Sequence, residues 1–460
     1  MSTKDKVLSL LMEARSLGEK SAVLGAPSSV SGEKNVNSGA GASVSGEKLA
    51  AECGVSRAAI WKAVNALRSE GIAIEGTTNG GYILCDDDIF TTESFNQIFK
   101  KDFPDFADCN IEVFKEIDST NTYAKRVLTE CGNLRNVDGT LTSAGKKYHQ
   151  SIIAAESQTA GRGRLGRTFV SPAKTGIYIS VIYAPVGGIT NPAKITAFSA
   201  VAVCRAIKEL YGIECQIKWI NDIYAGGKKI CGILTEGFTN FETGTIESAI
   251  IGIGINMRDN PALFPTEVAK VAGSIEGAEK VSSEKAELVQ TQVASTSDAE
   301  VHSSTPATVN STTSSVISVP DTEISPKPAI HSSVSRARLA AHVAANLLHI
   351  LEETVNPTLQ TGSYATKNAN SVPQTNSLAT ETVPNTENTL SAIMQEYKSA
   401  SFLIGKTLTV HPIIGNAKTD YTAKAVDIDD NAALVVELAD GTRKALSSGE
   451  VSIGSGEFVR

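Results

Sequence analysis

Three polar stretches interrupt this chain and leave denser sequence between them. Residues 23–46 are rich in Gly and Ser, residues 276–335 consist mostly of Ser, Thr, Val, Ala and Glu, and residues 356–389 are of similar polar character. Polar sequence with few aromatic residues buries too little apolar surface to offset the entropy that is lost on ordering. We therefore predict that these three stretches are insertions into folded domains.

The sequence outside the insertions divides into three predicted domains. They occupy residues 1–85, 108–400 and 402–460, with the first insertion in the first domain and the other two in the second. The whole chain is 41% hydrophobic, below the roughly 45–50% of ordinary soluble domains. The insertions account for most of that deficit.

Charge and cysteine content exclude several classes of protein. The net charge is −8, so any contact with DNA must depend on a local group of side chains. The seven cysteines include no CxxC pair, and we expect neither a disulfide framework nor a zinc site. No apolar run approaches the roughly 18 residues of a membrane span, and the first residues lack the pattern of a secretory signal. We therefore expect a soluble, cytoplasmic protein that contacts no membrane.

The first domain carries helix signals in the order of a helix-turn-helix. The segment Lys6–Met12 places apolar residues at helical spacing. Ser45 and Ser56 each precede helix-forming sequence and are predicted N-caps, and Gly54 ends the helix between them. The third helix is predicted over Arg57–Ser69.

A hairpin is predicted directly after the third helix, in the position of the wing of a winged helix-turn-helix. Apolar residues at 72–74 and 82–84 flank a turn that contains Asn79-Gly80, a strong hairpin signal. The third helix would then present polar side chains to DNA, namely Ser56, Arg57, Trp61, Lys62, Asn65 and Arg68. The alternative is an ordinary solvated face, because residues 45–84 carry four acids and four bases. A weak binder of this kind needs a dimer to reach useful affinity.

The loop Gly161–Arg167, with the sequence GRGRLGR, is the strongest chemical signal in the second domain. It follows an apolar strand at 152–154. Glycines let the backbone approach a ligand closely, and arginines offer forked, permanently charged donors for carboxylates and phosphates. The glycine spacing fits neither a dinucleotide-binding fingerprint nor a P-loop. A mobile, exposed basic loop is the alternative.

Two further segments of the second domain are predicted strands. Residues 217–224 are predicted as one strand, followed by a Gly226-Gly227 turn and a second strand over 228–236. Lys218 lies among apolar neighbours, where an ammonium could point into a site, although a strand lysine taken alone is more often plain surface. The segment 249–256 is a buried strand whose glycines allow close packing or close approach of a ligand.

Taken together, these motifs resemble the biotin–protein ligases, in particular the bifunctional type that also represses the biotin operon. The resemblance rests on Asp118-Ser-Thr-Asn121, on Gln158 with GRGRLGR, on KWIND at 218–222 followed by CGILTE, and on GIGIN at 252–256. It implies an α+β protein with an N-terminal winged helix-turn-helix, a central class II synthetase-like mixed α/β ligase domain and a C-terminal SH3-like small β-barrel. Alternating apolar residues around the Asp440-Gly441 turn are typical of such a small antiparallel barrel.

The resemblance also implies a reaction. ATP and biotin would give biotinyl-5′-AMP and pyrophosphate, and biotin would then pass to a lysine of a biotin carboxyl carrier protein domain. Mg²⁺ would accompany ATP, with no tightly bound metal. Operator DNA and a second copy of the chain, in a homodimer of the adenylate-bound form, are the other implied partners.

Site residues follow from the same resemblance, motif by motif. Lys218 and Arg164 are the predicted catalytic residues. The predicted biotin-binding residues are Ser119, Thr120, Asn121, Gln158, Arg162, Gly163, Arg164 and Lys218. The predicted ATP- and adenylate-binding residues are Arg164, Arg167, Phe169, Asn221 and Asn256.

The sequence departs from the family pattern at two positions, and two other functions are alternatives to a bifunctional ligase. Ile220 stands where many relatives have Pro, and Phe169 stands where they have Trp; neither change removes a charge. The first rival is a DNA-binding biotin sensor without turnover. The second is a lipoate or octanoate ligase, which shares the fold.

Overall fold

The computed structural model describes residues 1–23, 43–77, 81–86, 88–240, 244–283, 334–355, 386–412 and 419–453. Most of each predicted insertion (23–46, 276–335 and 356–389) lies outside these described residues, and so does the Asn79-Gly80 turn.

The N-terminal domain contains three helices and a two-stranded hairpin. These are α1 (Thr3–Val23), α2 (Gly46–Cys53), α3 (Arg57–Ser69), β1 (Ile74–Thr77) and β2 (Gly81–Leu84). Ser45 Oγ accepts a hydrogen bond from the Lys48 amide at 3.1 Å, and Ser56 Oγ accepts one from the Ala59 amide at 3.3 Å. Gly54, at φ 68°, ends α2 in the left-handed region. Both predicted caps, the helix-turn-helix order and the hairpin are confirmed.

The first helix is longer than the predicted segment Lys6–Met12. It runs over 21 residues, and its buried side chains Val7, Leu8 and Leu11 face α3 and the hairpin. The apolar spacing marked only the part of the helix that packs against the domain. The other turns carry mostly polar residues.

The central domain is a mixed sheet of seven strands among the described residues. Their order across the sheet is β3-β4-β5-β9-β8-β7-β6, and only β3 and β4 are parallel neighbours. The strands are β3 (Ile111–Phe114), β4 (Ile152–Ala155), β5 (Gly176–Tyr183), β6 (Gln216–Lys218), β7 (Asp222–Ala225), β8 (Lys228–Thr239) and β9 (Ile246–Asn256). The helices are α4 (Thr92–Asp102), α5 (Thr120–Cys131), α6 (Ser143–Tyr148), α7 (Pro192–Tyr211), α8 (Thr266–Val271), α9 (275–283), α10 (Arg336–Val355) and α11 (Thr386–Ala400).

Alternation along the strands distributes apolar side chains to both faces of this sheet. Ile152 and Val181 belong to the large core that also contains α7 and α10, whereas Ile153 and Ile182 belong to a second cluster with α5. Successive side chains of a strand point to opposite faces. The sheet is therefore covered on both sides.

The predicted single strand over 217–224 is wrong. The chain reverses at residues 219–221, so that β6 and β7 form an antiparallel pair with Lys218 opposite Asp222. Trp219 fixes this turn, because its ring is buried and its Nε1 donates a hydrogen bond to the Ala432 carbonyl of the C-terminal domain at 2.8 Å.

Domain and insertion boundaries also differ from the prediction. Phe95 and Phe99 of α4 lie in the same core as the central sheet, so this unit begins near residue 88 instead of 108. The predicted insertion 276–335 begins inside α9, where Ala278 is buried, and α11 begins at Thr386, before the predicted end at 389. The sequence pattern did not mark these helix ends, because their residues are mostly small or polar and few large apolar side chains are buried there.

The C-terminal segment forms an antiparallel sheet of five strands in the order β13-β12-β11-β10-β14. The strands are β10 (Thr407–His411), β11 (Tyr421–Ile428), β12 (Leu434–Glu437), β13 (Arg443–Leu446) and β14 (Glu450–Ser452). Gly441, at φ 82°, lies between β12 and β13, as the predicted Asp440-Gly441 turn requires. The antiparallel pattern is confirmed. Within the described part of the chain, no helix is long and apolar enough to cross a bilayer.

Leu348→Ala should lower the free energy of unfolding by about 2–5 kcal/mol, because it removes a large side chain from a packed core. Leu348 lies on α10 and is fully buried in the main core. Urea denaturation followed by circular dichroism measures the change. Glu353→Ala, on the exposed side of the same helix, should stay within about 0.5 kcal/mol of wild type. Equal stabilities of the two variants would contradict the packing described here.

Candidate active site

A pocket with an empty volume of about 770 Å³ opens over the middle strands of the central sheet. Ten of the twelve site residues predicted for biotin and ATP line it. They are Ser119, Thr120, Asn121, Gln158, Arg162, Gly163, Arg164, Arg167, Phe169 and Asn221. Residues from the start of α5, from the GRGRLGR loop and from the β6–β7 turn, distant in sequence, therefore meet at one place.

The floor of the pocket is a buried network of uncharged polar groups. Gln158 Oε1 accepts hydrogen bonds from the Thr120 amide at 2.9 Å and from Thr120 Oγ1 at 3.3 Å, and Gln158 Nε2 donates to Ser171 Oγ at 2.9 Å. Ser180 Oγ lies 2.7 Å from Thr120 Oγ1 and 2.6 Å from Asn121 Oδ1. Because unsatisfied buried polar groups are costly, this pairing fixes the orientation of each side chain.

Two glycines of the GIGIN motif leave room for neighbouring side chains. A Cβ on Gly252 would lie 2.4 Å from Asn121 Oδ1, and a Cβ on Gly254 would lie 2.4 Å from the ring of Phe169. Any side chain at either position would displace a pocket residue. Close approach is thus the physical reason for glycine in this strand.

The GRGRLGR loop closes on itself and holds its arginines at the pocket. The Gly163 amide donates to the Arg167 carbonyl at 2.7 Å, and the Arg167 amide donates to the Arg164 carbonyl at 3.1 Å. Leu165 and Gly166 both have positive φ, 57° and 74°, which turns the chain sharply. The loop is a tight, hydrogen-bonded turn.

Arg164 and Arg167 also contact the C-terminal domain. Arg164 donates to Asn221 Oδ1 at 2.9 Å and to the Gly449 carbonyl at 3.1 Å, and Arg167 lies 2.6 Å from Glu450 Oε2. Glu450 itself lines the pocket. One wall of the pocket is therefore supplied by the C-terminal domain through Glu450, a residue that was not among the predicted site residues.

Glu236 joins the polar floor to the cationic loop. Its carboxylate accepts from Asn121 Nδ2 at 2.9 Å, from Lys125 Nζ at 2.7 Å and from Arg162 at 3.1 Å. Burial alone would raise the pKa of Glu236, but the hydrogen bonds from Lys125 and Asn121 and the charge of Arg162 outweigh it and lower the pKa. The carboxylate is therefore held ionised, as a structural counter-ion.

Lys218 and Asn256 are the two predicted residues that do not reach the pocket wall. Lys218 is half-buried on β6. Burial lowers the pKa of its ammonium, and the negative charge of Asp222, which acts in the other direction, offsets only part of this effect. Asn256 donates from Nδ2 to the Gly273 carbonyl at 3.0 Å. The wall carries Lys229 instead, whose Nζ lies 2.6 Å from Asp222 Oδ1.

Sequence reasoning missed Lys229 because it assigned the site lysine of this region to Lys218. The Gly226-Gly227 turn brings β8 alongside β7, and Lys229 then pairs with Tyr224 at the start of β8. The signal that could have found it is the lysine pair directly after the Gly226-Gly227 turn. Glu236, Ser180 and Glu450 were also missed, and each lies far in sequence from the motif residues that it contacts.

The predicted DNA-binding side chains lie along α3. Trp61 is 58% exposed, and Ser56, Arg57 and Lys62 are exposed as well. Arg57 pairs with Glu47 at 3.1 Å. Asn65 accepts a hydrogen bond from Arg68 at 3.3 Å.

Arg68 also has a structural contact with the wing. Its Nε donates to the Ile74 carbonyl at 2.8 Å, so this side chain is partly committed to holding β1 against α3. The other exposed members of the set are arranged on one helix face.

Comparison with known families matches three parts of the chain. Residues 113–256 match the biotin/lipoate A/B protein ligase family. Residues 37–83 match an HTH domain, and residues 413–454 match the biotin protein ligase C terminal domain. The three matches follow the order of the three structural units.

Two curated relatives are bifunctional ligase/repressor BirA proteins. The protein of Bacillus subtilis (strain 168) is 34% identical over 231 residues, which is 50% of this chain and 65% of the relative. The protein of Escherichia coli (strain K12) is 30% identical over 211 residues, 46% of this chain and 58% of the relative. The chain thus spans somewhat less than two thirds of the relatives' length.

Among solved structures, the chain is similar to the biotin protein ligase from Aquifex aeolicus in complex with biotin and ATP. That match has 19% identity and a TM-score of 0.43, and it covers 75% of this chain and 97% of the other.

Glu236→Gln should remove an acid-dependent part of the stability. A carboxyl whose pKa is lowered by folding stabilises the folded state above its unfolded pKa, near 4.5, and this stabilisation is lost as the pH falls through the lower folded value. The free energy of unfolding, measured from pH 7 to pH 3, should therefore fall less steeply below pH 4.5 in the variant. Glu353→Gln, an exposed acid, should keep the wild-type slope. A Glu236 pKa above 4.5 by nuclear magnetic resonance would contradict this interpretation.

Proposed function

We propose that this chain is an ATP-dependent biotin–protein ligase that also acts as a biotin-responsive repressor of biotin synthesis. The observation that carries the proposal is the group of cations, Arg162, Arg164, Arg167 and Lys229, above a floor of uncharged polar side chains. The ligase-family match and the two BirA relatives support it.

The first step brings a carboxylate against a polyphosphate, and fixed cations must offset that repulsion. A biotin carboxylate oxygen attacks the α-phosphorus of ATP, a carboxyl–phosphate bond forms, and pyrophosphate leaves with the electron pair of the broken bond. Arg164 and Lys229 are the proposed donors to the carboxylate and the α-phosphate, where charge grows in the transition state. Lys218, half-buried behind Asp222, adds positive potential from outside the wall.

Biotin would lie over the polar floor. Its ureido group needs both donors and acceptors, and the side chains of Ser119, Thr120, Asn121 and Gln158 present both in fixed orientations. Arg162 and Gly163 would close over the bound acid from the loop. This arrangement also excludes water from a reactive mixed anhydride.

ATP would occupy the side of the pocket next to the C-terminal domain. Phe169 lies against Gly254 and can stack on adenine, Arg167 suits a phosphate, and Asn221 is the proposed amide contact. Asn256, which is bonded to the Gly273 carbonyl, would support this side of the pocket from outside the wall. Among the described residues, no group of three or more His, Cys, Asp or Glu side chains forms a metal site. The residues fit Mg²⁺ that arrives with ATP, because Mg²⁺ takes one or two carboxylates plus substrate phosphates, and Asp222 lines the pocket.

In the second step, the amine of a carrier lysine attacks the carbonyl carbon of the adenylate, and AMP leaves. The carrier would be a biotin carboxyl carrier protein domain.

Each of the three domains has a proposed role. We propose that residues 1–85 bind operator DNA, that residues 88–400 catalyse the reaction and that residues 402–460 form an SH3-like barrel. The contacts of Arg164 and Arg167 with Gly449 and Glu450 support a role for that last domain at the site. Repression would require a homodimer of the adenylate-bound form.

A lipoate-type ligase is the second candidate, since the description of the matched family names both biotin and lipoate. Competition between biotin and lipoate for adenylation separates the two. The remaining alternative is a DNA-binding biotin sensor without turnover. Pyrophosphate release in the presence of biotin and ATP would distinguish the ligase from this sensor, and the intact cationic group favours the ligase.

Arg164→Ala and Lys229→Met should each lower the rate of carrier biotinylation about 100-fold or more, because each removes a fixed donor to developing charge. Lys218→Met should have a smaller effect, since this residue lies outside the pocket wall. The measurement is incorporation of biotin into a purified carrier domain with ATP. Lys208→Met, an exposed change on α7, should retain the wild-type rate. Full activity of Arg164→Ala would overturn the assignment of this pocket.

Lys62→Ala should weaken binding to the biotin-synthesis promoter and reduce the salt-dependence slope by about 1, as the loss of one phosphate contact predicts. Gel shifts at several salt concentrations, with and without biotin and ATP, measure both effects. Lys100→Ala, an exposed lysine on α4, is the matched control and should bind like wild type. If wild type binds equally well with and without biotin and ATP, repression is not biotin-responsive.

A further inference from the structure

Arg336, the first residue of α10, is a fully buried charge with two acidic partners. Its side chain is 1% exposed, its Nε lies 2.6 Å from Asp88 Oδ2, and its Nη2 lies 2.5 Å from Glu156 Oε1. Its backbone amide donates to Asp88 Oδ1 at 2.9 Å. Burial would lower the pKa of Arg336, but Glu156 and Asp88 outweigh it and raise the pKa. A buried charge needs partners of this kind, and losing one leaves the other uncompensated.

The two partners belong to segments with different tasks. Asp88 lies four residues beyond the end of β2, in the connector between the N-terminal domain and α4. Glu156 directly follows β4 and precedes Gln158 of the pocket floor by two residues. The forked guanidinium of Arg336 spans both segments, and a single ammonium could not donate in this geometry.

Further contacts tie the same cluster to the sheet. The Glu156 amide donates to the Phe114 carbonyl of β3 at 2.8 Å, which holds the strand end where the chain leaves the sheet. Arg258, two residues after β9, donates to Asp88 Oδ2 at 2.8 Å. The Arg336 guanidinium also lies over the ring of Phe90, 5.0 Å from its centroid. The connector is therefore attached to the end of two strands that lead into the pocket.

We propose that Arg336 is a positioning residue with two effects. Through Glu156 it sets the position of Gln158 in the biotin site. Through Asp88 it holds the connector, which leads to the DNA-binding domain, against the central domain. The first effect rests on the proposed function. Gln158 makes its hydrogen bonds to Thr120 and Ser171 only when the strand end lies where it does now. A shift of the strand end weakens ligand binding and leaves the cationic wall, and hence the chemical step, in place.

Glu156→Gln tests the first effect, because it removes one charge and keeps the shape. We expect the Kd for biotin, measured by calorimetry without ATP, and the KM for biotin to rise about 10-fold, since small misplacements of a binding group are costly. The kcat should stay within about twofold of wild type, as for interactions that affect binding alone. Glu353→Gln, the same change on the exposed side of α10, should alter neither.

A merely structural role would lower the melting temperature without this split between KM and kcat. An unchanged biotin Kd in Glu156→Gln, with wild type binding biotin normally, would overturn the positioning role of Glu156. If wild type does not bind biotin at all, the proposed function fails, and this half of the inference fails with it.

Asp88→Asn tests the second effect without touching the pocket. We expect wild-type biotin Kd and kcat, faster cleavage in the connector near residues 85–91 under limited proteolysis, and weaker operator binding. Unchanged cleavage would overturn the anchoring role, whatever the outcome with biotin. Arg336→Lys keeps the charge but not the fork, and it should combine the defects of both variants; wild-type behaviour in both assays would contradict the whole inference.

Discussion

The mutual repulsion of the cations at the pocket is the constraint on which the site depends. Four cations line the described pocket, and each is held by a partner: Arg162 by Glu236, Arg164 by Asn221 and Gly449, Arg167 by Glu450, and Lys229 by Asp222. Like charges that line one pocket repel one another and oppose folding unless they are compensated. The partners come from β8, from the β6–β7 turn with the first residue of β7, and from the C-terminal domain. The need to hold these cations together thus explains why three distant parts of the chain meet here.

Features that depend on nearby residues could be predicted from the sequence. The N-caps Ser45 and Ser56, the hairpin after α3 and the turn at Gly441 follow from short-range hydrogen bonding and backbone geometry. The glycine-rich loop Gly161–Arg167 stands out in the sequence for the same reason, and its binding of anions stays a prediction. Four of the ten predicted residues that line the pocket, Arg162, Gly163, Arg164 and Arg167, lie in this loop.

Features that depend on distant partners could not be predicted. The reversal at 219–221 is held by Trp219, whose Nε1 donates to the carbonyl of Ala432, 213 residues away. The start of the central unit near residue 88 depends on the buried pair of Asp88 with Arg336, which nothing in the local sequence marks. Polarity patterns also failed at α9 and at the start of α11, because helical turns with few large apolar residues resemble insertions.

Biotin-dependent exchange between pyrophosphate and ATP tests the central claim most directly, since it requires adenylate formation and neither a carrier nor DNA. Purified full-length chain with Mg²⁺ and labelled pyrophosphate should form labelled ATP only when biotin is added. Lipoate at the same concentration should support little exchange. No exchange with biotin, or equal exchange with lipoate, would contradict the assignment of a biotin-activating site to this pocket.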